Sequence, residues 1–321
     1  MSVLSEDVVW CYHNLLGREP VLDEIVEVQQ KTTDFKQLVM DCVHLSAFTN
    51  RLKRANSPNP DVNFSIQSVL NRLNIEVSAT EEELGKCASK IKETWEHLGT
   101  EKAHWSVLSV DTFLPDSLHQ SIDSFWASGQ AEAAQAIQVL SQFGSGQFEQ
   151  KVCVEYGCGV GRLTFGLAET YKIVHAYDIS RTHLAHAKAR ADEVGASNIE
   201  FHECSSDFRG TIAPCDFFYS VIVLQHNPPP VILTIIRNAL KALKPGGVAM
   251  FQVPTYIAGY SFSLPNWLAT DQTLLIEMHC VPQDAVMEIV SVSGCRLLSV
   301  REDGYSNEMI GMVSNTFLCA K

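Results

Sequence analysis

Apolar residues in the first hundred positions recur at the spacing of helices. One stripe follows the i, i+3, i+4, i+7, i+8 pattern, and Asp34 is placed to cap its helix. This stripe consists of Phe35, Leu38, Val39, Cys42 and Val43. Further on, Ser78-x-x-Glu81 has the form of a capping box, and Gly99 is a suitable stop for the long helix that follows. The pattern predicts an all-helical N-terminal domain over residues 1–100.

From about residue 150 the pattern changes to short β-rich runs that alternate with helical stretches. Strands are predicted near 151–156, 173–178, 199–204, 216–224, 248–253, 295–303 and 316–320. Helices are predicted near 161–171, 180–194, 230–243 and 282–293. Such alternation is typical of a parallel sheet with crossover helices. The first five strands are each separated by a helix or a long crossover, whereas the last two are joined without a helical pattern. We therefore predict an α/β fold with a doubly wound, Rossmann-like sheet of seven strands, whose last two strands form an antiparallel pair.

Composition narrows the classes of partner. The chain has 24 basic and 37 acidic residues, which give a formal net charge of −13. This charge argues against binding to nucleic acid or to an anionic membrane, because both need a basic face. The ten cysteines include no Cys-x-x-Cys pair, so we expect neither a zinc site nor a disulfide framework. The N-terminal residues do not have the form of a secretory signal, and no window holds 18 consecutive apolar residues, so we expect a cytoplasmic protein.

The strongest chemical signal is the segment VCVEYGCGVGRLT, residues 152–164. A β-run ends at Tyr156, and an amphipathic helix starts after residue 161. Between them stand Gly157, Gly159 and Gly161. Glycines allow the backbone to turn sharply and to approach a ligand closely, and the helix start supplies free N–H donors. About 20 residues further on, Asp178 ends the next predicted strand, where a carboxylate can accept hydrogen bonds from both hydroxyls of a ribose.

Two ligands fit a loop of this kind: a dinucleotide and S-adenosylmethionine. A dinucleotide loop needs a small residue where this chain has Arg162, and Glu155 would repel a pyrophosphate group. S-adenosylmethionine has no phosphate and carries an ammonium and a sulfonium, both of which carboxylates attract. Glu155 and Asp178 therefore favour S-adenosylmethionine. A nucleotide-linked oxidoreductase stays as the alternative.

Residues 150–321 resemble the class I S-adenosylmethionine-dependent methyltransferases. The matching segments are Val154-Glu155-x-Gly157-x-Gly159-x-Gly161, Tyr177–Ser180, Ser205–Phe208, Phe218–His226 and Leu243–Gly247. The resemblance implies a methyltransferase domain over residues 101–321. In that domain, residues 101–150 form lid helices, residues 151–321 form the core sheet, and residues 254–280 are an insertion on the acceptor side. The implied activity is in-line transfer of a methyl group to a small molecule, and a non-catalytic binding module is a further alternative.

The same resemblance implies roles for individual residues at the cofactor. The three loop glycines and Glu155 hold the methionine part, and Asp178 binds the ribose hydroxyls. Ile179 packs on the adenine face, and either Ser206 or Asp207 lies at the adenine edge. The fourth strand ends beside the transferring methyl group with Leu224 and Gln225.

His226 follows the predicted end of the fourth strand, where open α/β sheets bind their ligands. Its ordinary pKa lies near neutrality, so it is a candidate general base for a hydroxyl or amine. The competing interpretation is that His226 only stabilises the turn at Pro228–Pro230. Trp126 belongs to a Phe125-Trp126-x-x-Gly129 segment that resembles the lid of related enzymes.

The insertion at 254–280 is the predicted acceptor pocket, because long loops at this end of a sheet commonly carry function. Tyr256 and Trp267 are its candidate pocket residues, and Glu277 and His279 are candidates for binding or deprotonating the acceptor. A self-packed lid is the alternative. The pair His183-x-x-His186 is interpreted as a solvated helix face, and no metal site is predicted.

The N-terminal residues carry a second resemblance. The segment YHNLLGREP at 12–20 and the Ser-Ala-Phe-x-x-Arg pattern at 46–51 resemble a small helical module found beside bacterial surface-glycan enzymes. The apolar stripes of this domain need a partner surface, so homo-oligomerisation through it is an expectation. The acceptor itself is expected to be a sugar, an amino acid derivative or a secondary metabolite, with an oxygen, nitrogen or sulfur nucleophile.

Overall fold

The structure, a computed structural model, describes residues 8, 12, 22–31, 74–143, 147–270, 274–305 and 311–321. Contacts between residues divide the chain into two units, Met1–Arg72 and Leu73–Lys321. In the first unit, helix α1 spans Leu22–Lys31. The predicted stripe at 35–43 and the two segments at 12–20 and 46–51 lie outside the described residues, except for Tyr12.

The second unit contains eight further helices and seven strands among its described residues. Helices α2 to α9 span Glu81–Glu101, Ala103–Val107, Pro115–Ser141, Thr164–Ala168, Arg181–Val194, Pro229–Ala242, Leu264–Ala269 and Gln283–Val292. Strands β1 to β7 span Val152–Tyr156, Ile173–Asp178, Ile199–Glu203, Cys215–Ser220, Leu243–Ile257, Arg296–Glu302 and Met312–Ala320. Single 3-10 turns lie at Asp111–Phe113, Phe148–Gln150 and Leu224–His226. Across the described part of the chain, no helix combines the length and the apolar character that a membrane crossing requires.

The seven strands form one sheet in the order β3-β2-β1-β4-β5-β7-β6. Strands β1 to β5 pair in parallel, whereas β7 runs antiparallel to both β5 and β6. The strand order reverses at β1, which pairs with β2 on one side and β4 on the other. In open sheets of this kind a crevice forms at such a reversal, outside the carboxyl ends of the strands. The topology confirms the predicted fold class.

Successive residues along the central strands point to opposite faces, as the period of a strand requires. Val154 and Phe218 lie in one hydrophobic cluster, together with apolar residues of α2, α7 and α9. Cys153 and Phe217 lie in another, together with residues of α4 and α5. Both faces of the sheet are therefore covered, which explains why the central strands are almost continuously apolar.

Helix α2 starts two residues later than predicted. The sequence SATEEE contains two overlapping capping boxes, and the structure uses the second: Thr80 Oγ1 accepts a hydrogen bond from the Glu83 N–H at 3.3 Å, and Glu83 Oε2 accepts one from the Thr80 N–H at 2.8 Å. The helix continues past Gly99 to Glu101. A Cβ at Gly99 would lie 2.2 Å from Thr182 Oγ1, so this glycine permits close packing on α6 and does not end the helix. Helix α2, predicted in the N-terminal domain, lies in the unit that contains the sheet.

The predicted insertion at 254–280 begins as a continuation of β5. This strand extends to Ile257 and pairs with β7 as far as Met312, with a register shift between Pro254 and Tyr256. Beyond it, Phe262 forms an isolated parallel bridge with Ile75, and the short helix α8 follows. Tyr256 therefore belongs to the extended sheet.

Candidate functional site

The loop after β1 turns at glycines, and a side chain at these positions would clash with neighbouring atoms. Gly157 and Gly159 have φ angles of 80° and 54°, a region that residues with a side chain rarely adopt. A Cβ at Gly157 would lie 2.3 Å from Val223 Cγ1, and one at Gly159 would lie 2.4 Å from Val107 Cγ2. The bare backbone therefore lets two neighbouring segments close in on the loop.

Asp178, at the end of β2, holds this loop in place. Its side chain is 9% exposed, Oδ2 accepts a hydrogen bond from the Gly159 N–H at 2.8 Å, and Oδ1 accepts one from the Ser180 N–H at 2.8 Å. Each carboxylate oxygen can accept a second hydrogen bond. Asp178 can therefore serve the loop and a ligand at the same time.

A pocket opens where the carboxyl ends of β1, β2 and β4 meet helices α2 and α3. We call it the main pocket; it encloses about 760 Å³, part of it open to solvent. Glu155, Asp178 and Ile179 line it from the sheet, and Ile91, Trp95 and Val107 line it from the helices.

Several residues predicted at the cofactor line the main pocket together. These are Glu155, Gly157, Gly159, Asp178 and Ile179.

Other predicted positions lie elsewhere. Gly161 turns the chain behind the pocket, with a φ of 93°. Ser206 is exposed, and Asp207 Oδ1 accepts a hydrogen bond from the Arg209 N–H at 2.9 Å; Cys204 and Phe208, on either side of them, line the main pocket instead.

Glu155 and Arg162 place two opposite charges beside the loop. Glu155 is 2% exposed and accepts a hydrogen bond from Thr164 Oγ1 at 2.5 Å. Burial raises the pKa of Glu155 to about 7, although the Thr164 hydrogen bond and the charge of Arg162 act to lower it. Arg162 is paired with Glu132 at 2.6 Å, and within the described chain its buried Nε has no hydrogen-bond partner. The pocket can therefore receive both a cationic and an anionic group here.

The raised pKa of Glu155 predicts a pH-dependent stability. Because the pKa of about 7 in the folded state exceeds the ordinary value of 4.5, the folded chain holds this proton more tightly. Stability should therefore fall as the pH rises from about 4.5 to about 7 and should then level off, with a total loss of about 3 kcal/mol. Glu155→Gln should remove this loss, so its Tm should exceed that of the wild type at about pH 8 but not at about pH 5.

Thermal unfolding at both pH values measures this effect, and Glu149→Gln, at an exposed position, is the control. An equal Tm difference at both pH values would contradict the raised pKa of Glu155.

The wall of the main pocket after β4 departs from the predicted strand. The strand ends at Ser220, and Ile222 takes a φ of 57°, which is costly for a β-branched residue. Its N–H donates to Gln252 Oε1 at 2.9 Å, and Gln252 Nε2 in turn donates to Gln225 Oε1 at 2.9 Å and to Ser314 Oγ at 2.7 Å. Gln225 and the fully buried Leu224 therefore lie behind the pocket wall, in the 3-10 turn and not at the end of β4.

Replacing Gln252 by leucine should destabilise the protein by about 2–4 kcal/mol. The change leaves the Ile222 N–H and Gln225 Oε1 without the hydrogen bonds that Gln252 supplies, and each such buried group costs about 1–3 kcal/mol. Denaturant unfolding measures the loss, and Gln150→Leu, at an exposed position, is the matched control. Equal stability of the two variants would mean that this network does not hold the strained turn.

A second, smaller pocket adjoins the main pocket. We call it the side pocket; it encloses about 380 Å³. Its polar and aromatic lining includes Lys90, Trp267 and Glu277. Trp95 and His226 line both pockets, and their rings lie 5.6 Å apart. Ile91 lines both pockets as well, so these three side chains separate a ligand in the side pocket from one in the main pocket.

His226 is neutral, and its hydrogen bonds identify which ring nitrogen carries the proton. Its Nδ1 lies 2.9 Å from the backbone oxygen of Glu277, which can only accept, so Nδ1 carries the hydrogen and Nε2 carries the lone pair. Gln225 Nε2 lies 3.3 Å from that Nε2. Burial lowers the pKa of His226 to about 4, despite the hydrogen bond to Glu277. At neutral pH the ring is therefore a proton acceptor.

The insertion contributes a chain of hydrogen bonds behind the side pocket. Glu277 Oε2 accepts from Trp267 Nε1 at 2.7 Å and from His279 Nε2 at 3.1 Å, and Tyr260 donates its hydroxyl to His279 Nδ1 at 2.7 Å. The hydrogen bond from His279 lowers the pKa of Glu277, against the effect of burial. Glu277 and Trp267 therefore face the side pocket, whereas His279 lies behind them, 5% exposed, and lines neither pocket.

Two predicted pocket residues and one predicted surface residue are placed differently. Trp126 packs 5.6 Å from the ring of Phe165 and lines neither pocket, and neither does Tyr256. The predicted solvated face at His183-x-x-His186 is wrong for His183, which is 1% exposed and lines the main pocket. Its Nε2 lies 2.8 Å from Ser106 Oγ, so the ring joins α6 to α3.

The helical side of the main pocket was not predicted from the sequence. Ile91, Trp95, Ser106 and Val107 come from α2 and α3, which precede the sheet. The one available signal was the apolar stripe of α2, and such a stripe does not tell a pocket wall from a core.

Comparison with known proteins gives these features a family context. Residues 153–247 match the family model described as a methyltransferase domain. No curated protein sequence matches the chain.

Among solved structures, magnesium protoporphyrin IX methyltransferase (ChlM) from Synechocystis PCC 6803 with bound SAH is 16% identical, with a TM-score of 0.52 over 73% of this chain and 99% of that one. The same enzyme with bound SAM is 15% identical, with a TM-score of 0.50 over 77% and 99%. At these identities the likeness shows a shared fold and no more. The domain match and the shared fold agree with the predicted methyltransferase domain. Residues 153–247 therefore match a methyltransferase domain, and the chain shares its fold with a solved methyltransferase structure.

Proposed function

We propose that this protein transfers a methyl group from S-adenosylmethionine to a small-molecule acceptor. The observation that carries the proposal is the pair of carboxylates, Glu155 and Asp178, on either side of the glycine loop in the main pocket. The side pocket, which shares Trp95 and His226 with the main pocket, supplies a place for the acceptor.

The residues present fit the cofactor along its length. Asp178 has free acceptor capacity for the ribose hydroxyls, and Ile179 and Phe208 offer apolar surface to the adenine. Glu155 suits the ammonium of the amino-acid end, and Arg162 suits its carboxylate. When bound, the cofactor supplies a methyl group activated by the adjacent sulfonium. A dinucleotide fits less well, because its pyrophosphate would lie against Glu155.

The side pocket supports an acceptor of modest size. Its volume of about 380 Å³ is half that of the main pocket, about 760 Å³. Two indole rings, Trp95 and Trp267, and the carboxylate of Glu277 line it. We therefore infer a sugar, an amino acid derivative or a secondary metabolite with an oxygen, nitrogen or sulfur nucleophile. The net charge of −13 argues against a nucleic acid.

The protein's contribution to in-line transfer is mainly positioning. Holding two reactants in line is worth on the order of 7–11 kcal/mol. The indole of Trp95, at the junction of the pockets, can add a cation–π attraction of about 0.5–2 kcal/mol for the sulfonium. If the nucleophile is a hydroxyl, His226 Nε2 accepts the proton that it loses, and a pKa of about 4 suffices because the protonated ether formed by methylation is strongly acidic.

Two assays with the purified full chain test this proposal. In calorimetry, S-adenosylmethionine should bind and NAD should not. In a metabolite extract with isotopically labelled S-adenosylmethionine, mass spectrometry should detect a labelled methylated product that Asp178→Ala does not form. Binding of NAD alone would support an oxidoreductase, and binding of S-adenosylmethionine without turnover would support a non-catalytic module.

For the rest of the chain we propose three further properties. The segments at 12–20 and 46–51 support a helical module similar to those beside bacterial surface-glycan enzymes. The apolar stripes of the N-terminal residues support homo-oligomerisation, and light scattering of the full chain tests this proposal. The eight cysteines in the described residues are free thiols, which supports a reducing, cytoplasmic compartment.

A further inference from the structure

Three metal-ligand side chains meet at the outer edge of the sheet, away from both pockets. His175 lies on β2, and Glu200 and His202 lie on β3, the edge strand. The parallel register pairs His175 with Glu200, and His202 stands two residues after Glu200. Because side chains of a strand alternate between faces, all three side chains lie on the same face of the sheet.

The donor atoms of these side chains form a compact triangle. His175 Nδ1 lies 3.0 Å from His202 Nε2 and 3.3 Å from Glu200 Oε2, and His202 Nε2 lies 3.8 Å from Glu200 Oε2. A triangle with these sides has a circumradius of about 2.0 Å, and zinc binds nitrogen and carboxylate oxygen at about 2.0–2.2 Å. A single ion could therefore lie within bonding distance of all three donor atoms.

We propose that His175, Glu200 and His202 bind one Zn²⁺ ion, with a fourth position open to solvent. Two imidazoles and one carboxylate are a donor set that zinc accepts, and three protein ligands leave room for a water molecule. Glu200 keeps 57% of its side-chain surface exposed, so the ion can enter from solvent. None of the three residues lines the main pocket or the side pocket, so this site is separate from the proposed methyl transfer.

The surroundings hold the histidines in place for such a site. The ring of His202 stacks on Tyr177 with centroids 4.7 Å apart, and His175 sits on a strand paired along both sides. The competing account is a direct hydrogen bond between the two imidazoles, with Glu200 free in solvent. A metal would in addition join the edge strand β3 to β2, and so protect the fold against unfolding.

Titration of the metal-free full chain with Zn²⁺ tests the site. The wild type should bind one equivalent at the triad, and His119→Gln, at an exposed position on α4, should bind equally well. Loss of an outer partner of a metal site typically costs roughly 10–100-fold in affinity, so loss of a direct ligand should cost at least as much. His175→Gln, Glu200→Gln and His202→Gln should each show this loss.

Two further readouts keep the test decisive. Zn²⁺ should raise the Tm of the wild type and of His119→Gln but not of Glu200→Gln, a change at a largely exposed side chain that leaves the fold intact. The Co²⁺-loaded protein should show visible d–d bands without a thiolate charge-transfer band. No binding at micromolar Zn²⁺, equal binding by all variants, or a thiolate band from cysteine ligands would each overturn the proposal.

Discussion

Asp178→Ala should weaken binding of S-adenosylmethionine by about 100-fold or more, since each hydrogen bond to a charged group contributes about 1.5–3 kcal/mol. Two such bonds to the ribose hydroxyls are lost. Asp178 also accepts hydrogen bonds from the N–H groups of Gly159 and Ser180. The alanine variant loses these bonds too, so its glycine loop is held less firmly and the loss of affinity increases. Calorimetric titration with S-adenosylmethionine measures the change.

Asp207→Ala is the matched control for this prediction. Asp207 is also an acidic residue after a strand, but its side chain bonds to the Arg209 N–H and does not line the main pocket. This variant should bind the cofactor like the wild type. If Asp207→Ala lost affinity while Asp178→Ala kept it, the ribose would lie at the end of β3 and not at the end of β2.

His226→Gln should lower kcat by about 100-fold or more, because a positioned general base typically contributes 10²–10⁴-fold. Glutamine can retain a hydrogen bond to the Glu277 backbone oxygen but offers no basic nitrogen to the acceptor. Cofactor affinity should therefore stay near that of the wild type. Steady-state kinetics with the acceptor identified in the metabolite screen, together with cofactor titration, measure both quantities.

The pH–rate profile separates this role from others. Since burial places the pKa of His226 at about 4, the residue stays neutral above that value and gives no inflection near neutral pH. An inflection near pH 7 should arise from Glu155 instead and should be absent in Glu155→Gln. His104→Gln is the control for the loss of a buried histidine in His226→Gln. Burial lowers the pKa of His104 to about 4 as well, but this residue lines neither pocket. If His226→Gln turned over like the wild type, His226 would only stabilise the 3-10 turn at Leu224–His226.

The topology of the sheet could be predicted because its signals are local. Alternation of β-rich and helical stretches, and the missing helix before the last strand, determine which strands run parallel. Element ends were less predictable. The apolar run after β4 continues through Leu224, but the chain leaves the sheet at Ser220, and the positive φ of Ile222 has no signal in its residue type.

The candidate site was predictable where a motif stands on consecutive residues. Glu155, Asp178 and Ile179 follow from the glycine loop and the end of β2. The helical side of the main pocket was not predictable. An apolar stripe such as that of α2 can pack on the sheet, on other helices or on another chain, and the sequence does not show which. Helix α4, which carries Trp126, instead packs on the loop from outside: a Cβ at Gly129 would lie 1.8 Å from the Arg162 carbonyl oxygen.

The position of β7 has a consequence for how the protein is made. Residues 312–320 fill the gap between β5 and β6, so the ribosome must release this segment before β6 has any neighbour to pair with. Until then, a nascent chain presents the open side of β5 to solvent, where unpaired edges favour association with other chains. A variant that lacks β7 should therefore be far less stable than the loss of its nine residues alone suggests.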